Sequence, residues 1–170
     1  MFSYTYVRSE FRGLDSGMIP SSWDNKHLFS LTATKKFNRN WDLGIRLRFV
    51  GGAPYTPYDY EKSSYKIAWD LQGQGYLDYS MFNTLRLKAF HQLDLRVDKQ
   101  YFFENWSLML YADIQNIYNH KADQPPLLIR ETDRGGDPVT DPSNPLKYSL
   151  KYLDNETGTV LPTIGIIIEF

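Results

Sequence analysis

Residues 159–170, Thr-Val-Leu-Pro-Thr-Ile-Gly-Ile-Ile-Ile-Glu-Phe, constrain the fold more than any other stretch of this chain. Val160, Ile164, Ile166, Ile168 and Phe170 share one parity, while Thr159, Thr163, Gly165 and Glu169 share the other. Successive side chains of a strand point to opposite faces, so the segment predicts a strand with one apolar and one mostly polar side.

The same alternation recurs along the chain. Phe2, Tyr4 and Tyr6 oppose Ser3 and Thr5 in a strand expected from Phe2 to about Arg12. From His27 to Phe37, the side chains Phe29, Leu31, Ala33 and Phe37 oppose Ser30, Thr32, Thr34 and Lys36. Trp41 to Phe49 gives the cleanest pattern, with Trp41, Leu43, Ile45, Leu47 and Phe49 against Asp42, Gly44, Arg46 and Arg48. Alternation returns over His91–Phe103 and Trp106–Tyr118, and the closing strand makes six. Between them, Asn38–Asn40 and Glu104–Asn105 are tight turns. Gly13–Ser22, Gly51–Phe90 and His120–Gly158 are long connections rich in Gly, Pro and Asp. A short helix is expected near Ser64–Leu71.

Short connections alternating strictly with long ones are the pattern of a membrane β-barrel, which also carries Tyr and Trp as girdles at both interfaces. Aromatic residues make up 16% of the 170, with 13 Tyr, 10 Phe and 4 Trp. Eleven or twelve residues at about 3.3 Å each, tilted by about 40°, cover roughly the 25 Å apolar band of such a wall. Arg46, Arg48, Asp94, Arg96 and Asp98 fall on the polar parity and are expected to face a wet lumen or to pair with neighbouring strands. A soluble antiparallel sheet with its charged face in water is the competing expectation. No apolar run approaches the roughly 18 residues of a membrane-spanning helix. A net charge of −1 gives no electrostatic case for nucleic acid. The chain contains no cysteine, which excludes disulfides and thiolate metal sites.

Several segments resemble the C-terminal barrel of TonB-dependent outer-membrane receptors of the Bacteroidetes type. They are Pro20-Ser-Ser-Trp-Asp-Asn-Lys-His27 and the stretch from Trp41 through Gly51-Gly-Ala-Pro-Tyr-Thr-Pro57. Asn83–Lys99, Trp106–Asn119 and Leu161–Phe170 complete the series. The resemblance implies energised uptake of a nutrient through a barrel of about 22 strands, with a plug in its lumen. It also implies a TonB complex engaged through an N-terminal box, and an assembly machinery that reads a terminal aromatic strand. Phe170, Ile168, Ile166 and Ile164 are the expected assembly signal. The chain holds no plug, box or signal peptide, and known single-chain barrels start at about eight strands. It is therefore expected to be a C-terminal piece of the receptor, embedded in outer-membrane lipid of a Gram-negative envelope and unable to transport alone. The imported substrate, whether glycan, siderophore or peptide, is left open. Two alternatives also stay open: a soluble β-sheet glycan-binding module, and a small oligomeric outer-membrane barrel.

Few residues carry candidate chemistry. Tyr55, Tyr58, Tyr60, Trp69 and Tyr76, in the Gly51–Phe90 connection, are candidate ligand-facing aromatics, since ring faces stack on sugars or flat chelates. His27, His91 and His120 lack metal-ligand spacing. Asp133, Asp137 and Asp141 lack the pattern of a calcium loop and read as solvated turn residues. No nucleophile elbow, phosphate loop or catalytic carboxylate pair is present, so neither enzyme activity nor a cofactor is expected.

Overall fold

The computed structural model describes residues 1–13 and 17–170. In chain order the first strands are β1 (Phe2–Val7), β2 (Glu10–Arg12), β3 (Met18–Pro20), β4 (Lys26–Phe37), β5 (Trp41–Val50) and β6 (Pro54–Tyr55). Helices α1 (Tyr60–Ser64) and α2 (Lys66–Gln72) and a 3-10 turn (Tyr79–Met81) come next. β7 (Leu85–Arg86), β8 (Phe90–Phe102), β9 (Ser107–Gln115), β10 (Ala122–Arg130), β11 (Leu150–Thr157) and β12 (Leu161–Glu169) complete the chain.

The fold is mostly β, and its body is one antiparallel sheet in the order β1-β4-β5-β8-β9-β12. These six strands are the ones that alternation predicts. The sheet does not close: β1 and β12 are its edges, and they run antiparallel to each other.

Register follows from the pattern, because a slip of one residue would turn every side chain to the other face. Ala33, Ile45, Leu95 and Ile114 stand in one row across four strands, and Leu43, Val97, Ala112 and Ile164 stand in the next. The opposite face stacks Thr32, Arg46 and Asp94 in one row and Thr34, Gly44, Arg96, Asp113 and Thr163 in another. One face is thus mainly apolar through its middle, with Lys35 and Lys99 toward the tight-turn rim, and the other is polar and charged.

Aromatic rings mark both ends of the apolar face. Phe37, Trp41, Tyr101 and a stacked Phe103–Trp106 pair, with centroids 4.2 Å apart, lie at the tight-turn rim. At the loop rim stand Tyr4, Tyr6, His27, His91 and Tyr118.

The long connections hold more structure than their composition suggests. Gly13–Ser22, read as loop, carries β3, which pairs with β2 and takes Glu10–Arg12 away from the first strand; its residues 14–16 lie outside the described residues. The expected helix is real but divided into α1 and α2. The largest departure is 120–158, where β10 and β11 form a ribbon. Its register shifts between Gln124 and Leu127, where Pro125 and Pro126 have no N–H to give to the ladder.

Trp69, Leu128 and Leu150 are the buried hydrophobics among the described residues, with Tyr58 and Tyr148 packed on them. All three belong to the long connections. The six-stranded sheet contributes none.

Candidate functional site

Two polar clusters organise the molecule: one on the charged face of the sheet and one where the loops meet it. On the sheet, β8 places Asp94 opposite Arg46, with Arg48 diagonal to it. Arg46 donates from Nε and Nη2 to Asp94 Oδ2 at 2.9 and 2.8 Å, and Arg48 Nη2 reaches the same oxygen at 3.3 Å. The other oxygen, Oδ1, accepts from Gln92 at 2.6 Å and from the Asn116 amide at 3.0 Å. Arg96 donates to Asp98 at 2.8 Å and lies over the Tyr111 ring at 4.5 Å. A cavity of about 260 Å³ opens beside Gly44, Arg46 and Arg96. The residues expected to face a lumen therefore do share one face, and they are largely paired with one another.

Asn116 was not singled out by sequence reasoning. It holds a positive φ of 55° at the end of β9, where its side chain donates to the His120 and Thr159 carbonyls and accepts from the His120 amide. It thereby ties β9 to the start of β12. Asparagine's tolerance of the left-handed region was the signal available.

The second cluster is centred on Asp24, which is fully buried. Its carboxylate accepts from the Ser9 amide at 2.9 Å, from Lys26 at 2.9 Å and from Arg86. Arg86 also donates to the carbonyls of Asp24 and Gly52. One carboxylate thus joins the β1–β2 connection, the head of β4 and β7. The Gly51–Gly52 pair allows this: a Cβ on either glycine would overlap the backbone carbonyl of Asn25 or Leu87.

Burial alone would raise the Asp24 carboxyl, but its bonds to Lys26, Ser9 and Arg86 outweigh that and hold it at about 2, below the ordinary 3.8. A folded pKa below the unfolded one means that the unfolded chain binds more protons as pH falls. The stability contributed, on the order of 2 kcal/mol, is present above about pH 4 and is lost as pH falls toward 2. Fluorescence melts between pH 5 and 2 should show this loss, and Asp24→Asn should flatten it.

The candidate loop aromatics separate into two groups. Trp69 is buried in the loop core and is no ligand-facing residue, because Leu128 and Leu150 cover it. Tyr55 and Tyr58 are half-buried. Tyr60 donates to the Leu150 carbonyl at 3.1 Å, and its ring lies 6.3 Å from Tyr152. Burial first, then the neighbouring Tyr60, Tyr55 and Tyr58, raises the Tyr152 pKa. Tyr76 lies under the Lys62 ammonium, 4.4 Å from its ring centroid.

Ile164, Ile166, Ile168 and Phe170 are all exposed on the edge strand, at 85, 65, 50 and 99%. The fold brings two histidines together that looked remote in sequence. The His91 and His120 rings are 3.8 Å apart, and His91 Nδ1 meets the Tyr118 hydroxyl at 2.8 Å. Burial, and then His91, lower the His120 pKa. No group of three or more metal-capable side chains exists among the described residues. Asp133 Oδ1 accepts from the amides of Gly135 and Asp137, which makes it a turn former.

Comparison with known protein families, with curated proteins and with solved structures finds no match to this chain.

Proposed function

We propose that this chain forms wall and outer loops of a membrane β-barrel, as the C-terminal part of an outer-membrane receptor for TonB-dependent uptake. One observation carries the barrel reading: the sheet buries no hydrophobic side chain of its own, yet one of its faces is mainly apolar across its middle rows, with Lys35, Lys99, His27 and His91 toward the rims. In a soluble sheet that face would pack on a second layer. Here the second layer is lipid. The aromatic rims fit the two interfaces of a bilayer, and the opposite face suits a watery lumen.

A wall in hydrocarbon tolerates no open edge, so this reading requires further antiparallel strands beside β1 and β12. Within that wall, Phe170 and the isoleucines preceding it serve as the signal for the assembly machinery. The TonB complex would act through a plug-bearing part of the receptor. The receptor type itself rests on the motifs around Gly51–Pro57, Asn83–Lys99 and Leu161–Phe170.

The test is partition. Refolded chain is expected to bind lipid vesicles through its apolar face and to be carried down with them, while the 120–158 connection is cut by protease. Recovery as an aqueous monomer would sink the barrel reading in favour of a soluble glycan-binding sheet. A stable closed assembly of several copies in detergent would instead support the small oligomeric barrel.

A further inference from the structure

The loops hold a built pocket whose lining specifies a class of ligand. Tyr58 pairs with Leu77, the Asp59 amide donates to the Tyr76 carbonyl at 2.8 Å, and the Asp78 amide donates to the Pro57 carbonyl at 2.9 Å. This two-chain ribbon closes the base of α1 and α2. Between it and the end of α2 lies a cavity of about 400 Å³, lined by Tyr58, Tyr76, Tyr79, Gln72, Gln74 and Gly75. That is within the range of about 300–1,000 Å³ typical of small-ligand pockets.

Three features give the cavity a chemistry. Tyr79 is 71% exposed, and its ring stacks on Phe82 with centroids 6.1 Å apart and planes 14° from parallel. Phe82 in turn meets the edge of Phe11. The Tyr79 ring is therefore braced by Phe82 while most of its surface stays exposed. Gln72 and Gln74 offer neutral carboxamides, each with donors and an acceptor.

No lining residue is charged, whereas the cavity near Asp94 is lined by Arg46, Arg96 and Asp113. Gly75 forms the floor: a Cβ there would lie 2.9 Å from the Tyr58 ring and 3.0 Å from Leu128. The pocket is thus seated directly on the loop core.

We propose that this pocket binds a neutral sugar ring. A pyranose presents apolar C–H faces to aromatic rings and hydroxyl edges to amides, and it asks for no counter-ion. An anionic iron chelate would ask for Arg or Lys, and Lys62 is engaged over the Tyr76 ring rather than in the lining. Capture is a property of the loops alone; only the sugar's passage inward rests on the receptor reading above.

The test uses the full chain, refolded in detergent, on an array of neutral and acidic glycans. A ferric catecholate and a tripeptide are titrated in parallel. At least one neutral glycan is expected to be retained. Tyr79→Ala should weaken it by about tenfold, while Tyr79→Phe, which keeps the ring, should stay within about twofold. Gln74→Leu provides a second variant should Tyr79→Ala melt early, and it too should lose binding.

Retention of acidic glycans, chelate or peptide alone would overturn the proposal. So would retention indifferent to both substitutions, or no retention at all. Lipid partition of the same samples keeps the two ideas apart: glycan binding without partition sinks the receptor, and partition without glycan binding sinks the pocket.

Discussion

Ile45→Arg is expected to cost about 2–4 kcal/mol of folding stability in lipid vesicles, the penalty of a cation facing mid-bilayer hydrocarbon on a barrel wall. Ile45 lies on central strand β5, midway between Trp41 and Phe49, and in register with Ala33 and Leu95. It is 38% exposed on the bare sheet. Urea titration of the completed barrel, refolded in vesicles with and without the substitution, measures the change. Thr34→Arg, one row away on the polar face, should fall within about 0.5 kcal/mol of the parent, as surface substitutions usually do. With water instead of lipid against the bare apolar face, both replacements would be mild. Equal effects at the two positions would therefore remove the case for lipid on the apolar face.

Asp94→Ala is expected to destabilise the chain by about 2–3 kcal/mol, because several donors lose one acceptor at once. Arg46 and Arg48 are partly exposed and regain water. The Asn116 amide is buried and does not. The loss should therefore concentrate at the loop rim, where Asn116 ties β9 to β12. Amide exchange at Asn116 and His120 should quicken more than exchange at Leu43 or Val97 in the middle of the wall. Asp94→Asn keeps an oxygen for Asn116 and should recover about half the loss. Uniform quickening across the sheet would show that Asp94 acts as wall packing rather than as the rim's anchor.

The six strands were legible in the sequence because apolar and polar side chains alternate along them. Trp41–Phe49 and His91–Phe103 alternate cleanly, and cross-strand register then follows without further information. The loops obey no such period. In β10, Pro125 and Pro126 break the alternation, and Leu127-Leu-Ile129 gives a run too short to distinguish a ribbon from a buried turn. What holds that ribbon is Trp69, which comes from a different connection. The meeting of His91 with His120 likewise depends on where two loop ends fall. Nothing in the sequence marks Asp24 as buried, because its partner Arg86 arrives from 62 residues away. Tyr79 was legible only as one more aromatic of the Gly51–Phe90 connection, and the two glutamines carried no signal; only the ribbon pairing Tyr58 with Leu77 makes them neighbours.

The cluster of Trp69, Leu128 and Leu150 has a further consequence. It draws on two separate excursions of the chain and owes nothing to the apolar face of the sheet. If lipid covers that face, as proposed, bilayer thickness should tune the sheet and leave this core untouched. Substitutions that reshape the outer cap are then free to accumulate without disturbing insertion. A lineage of such chains could exchange what it captures while keeping the same chassis.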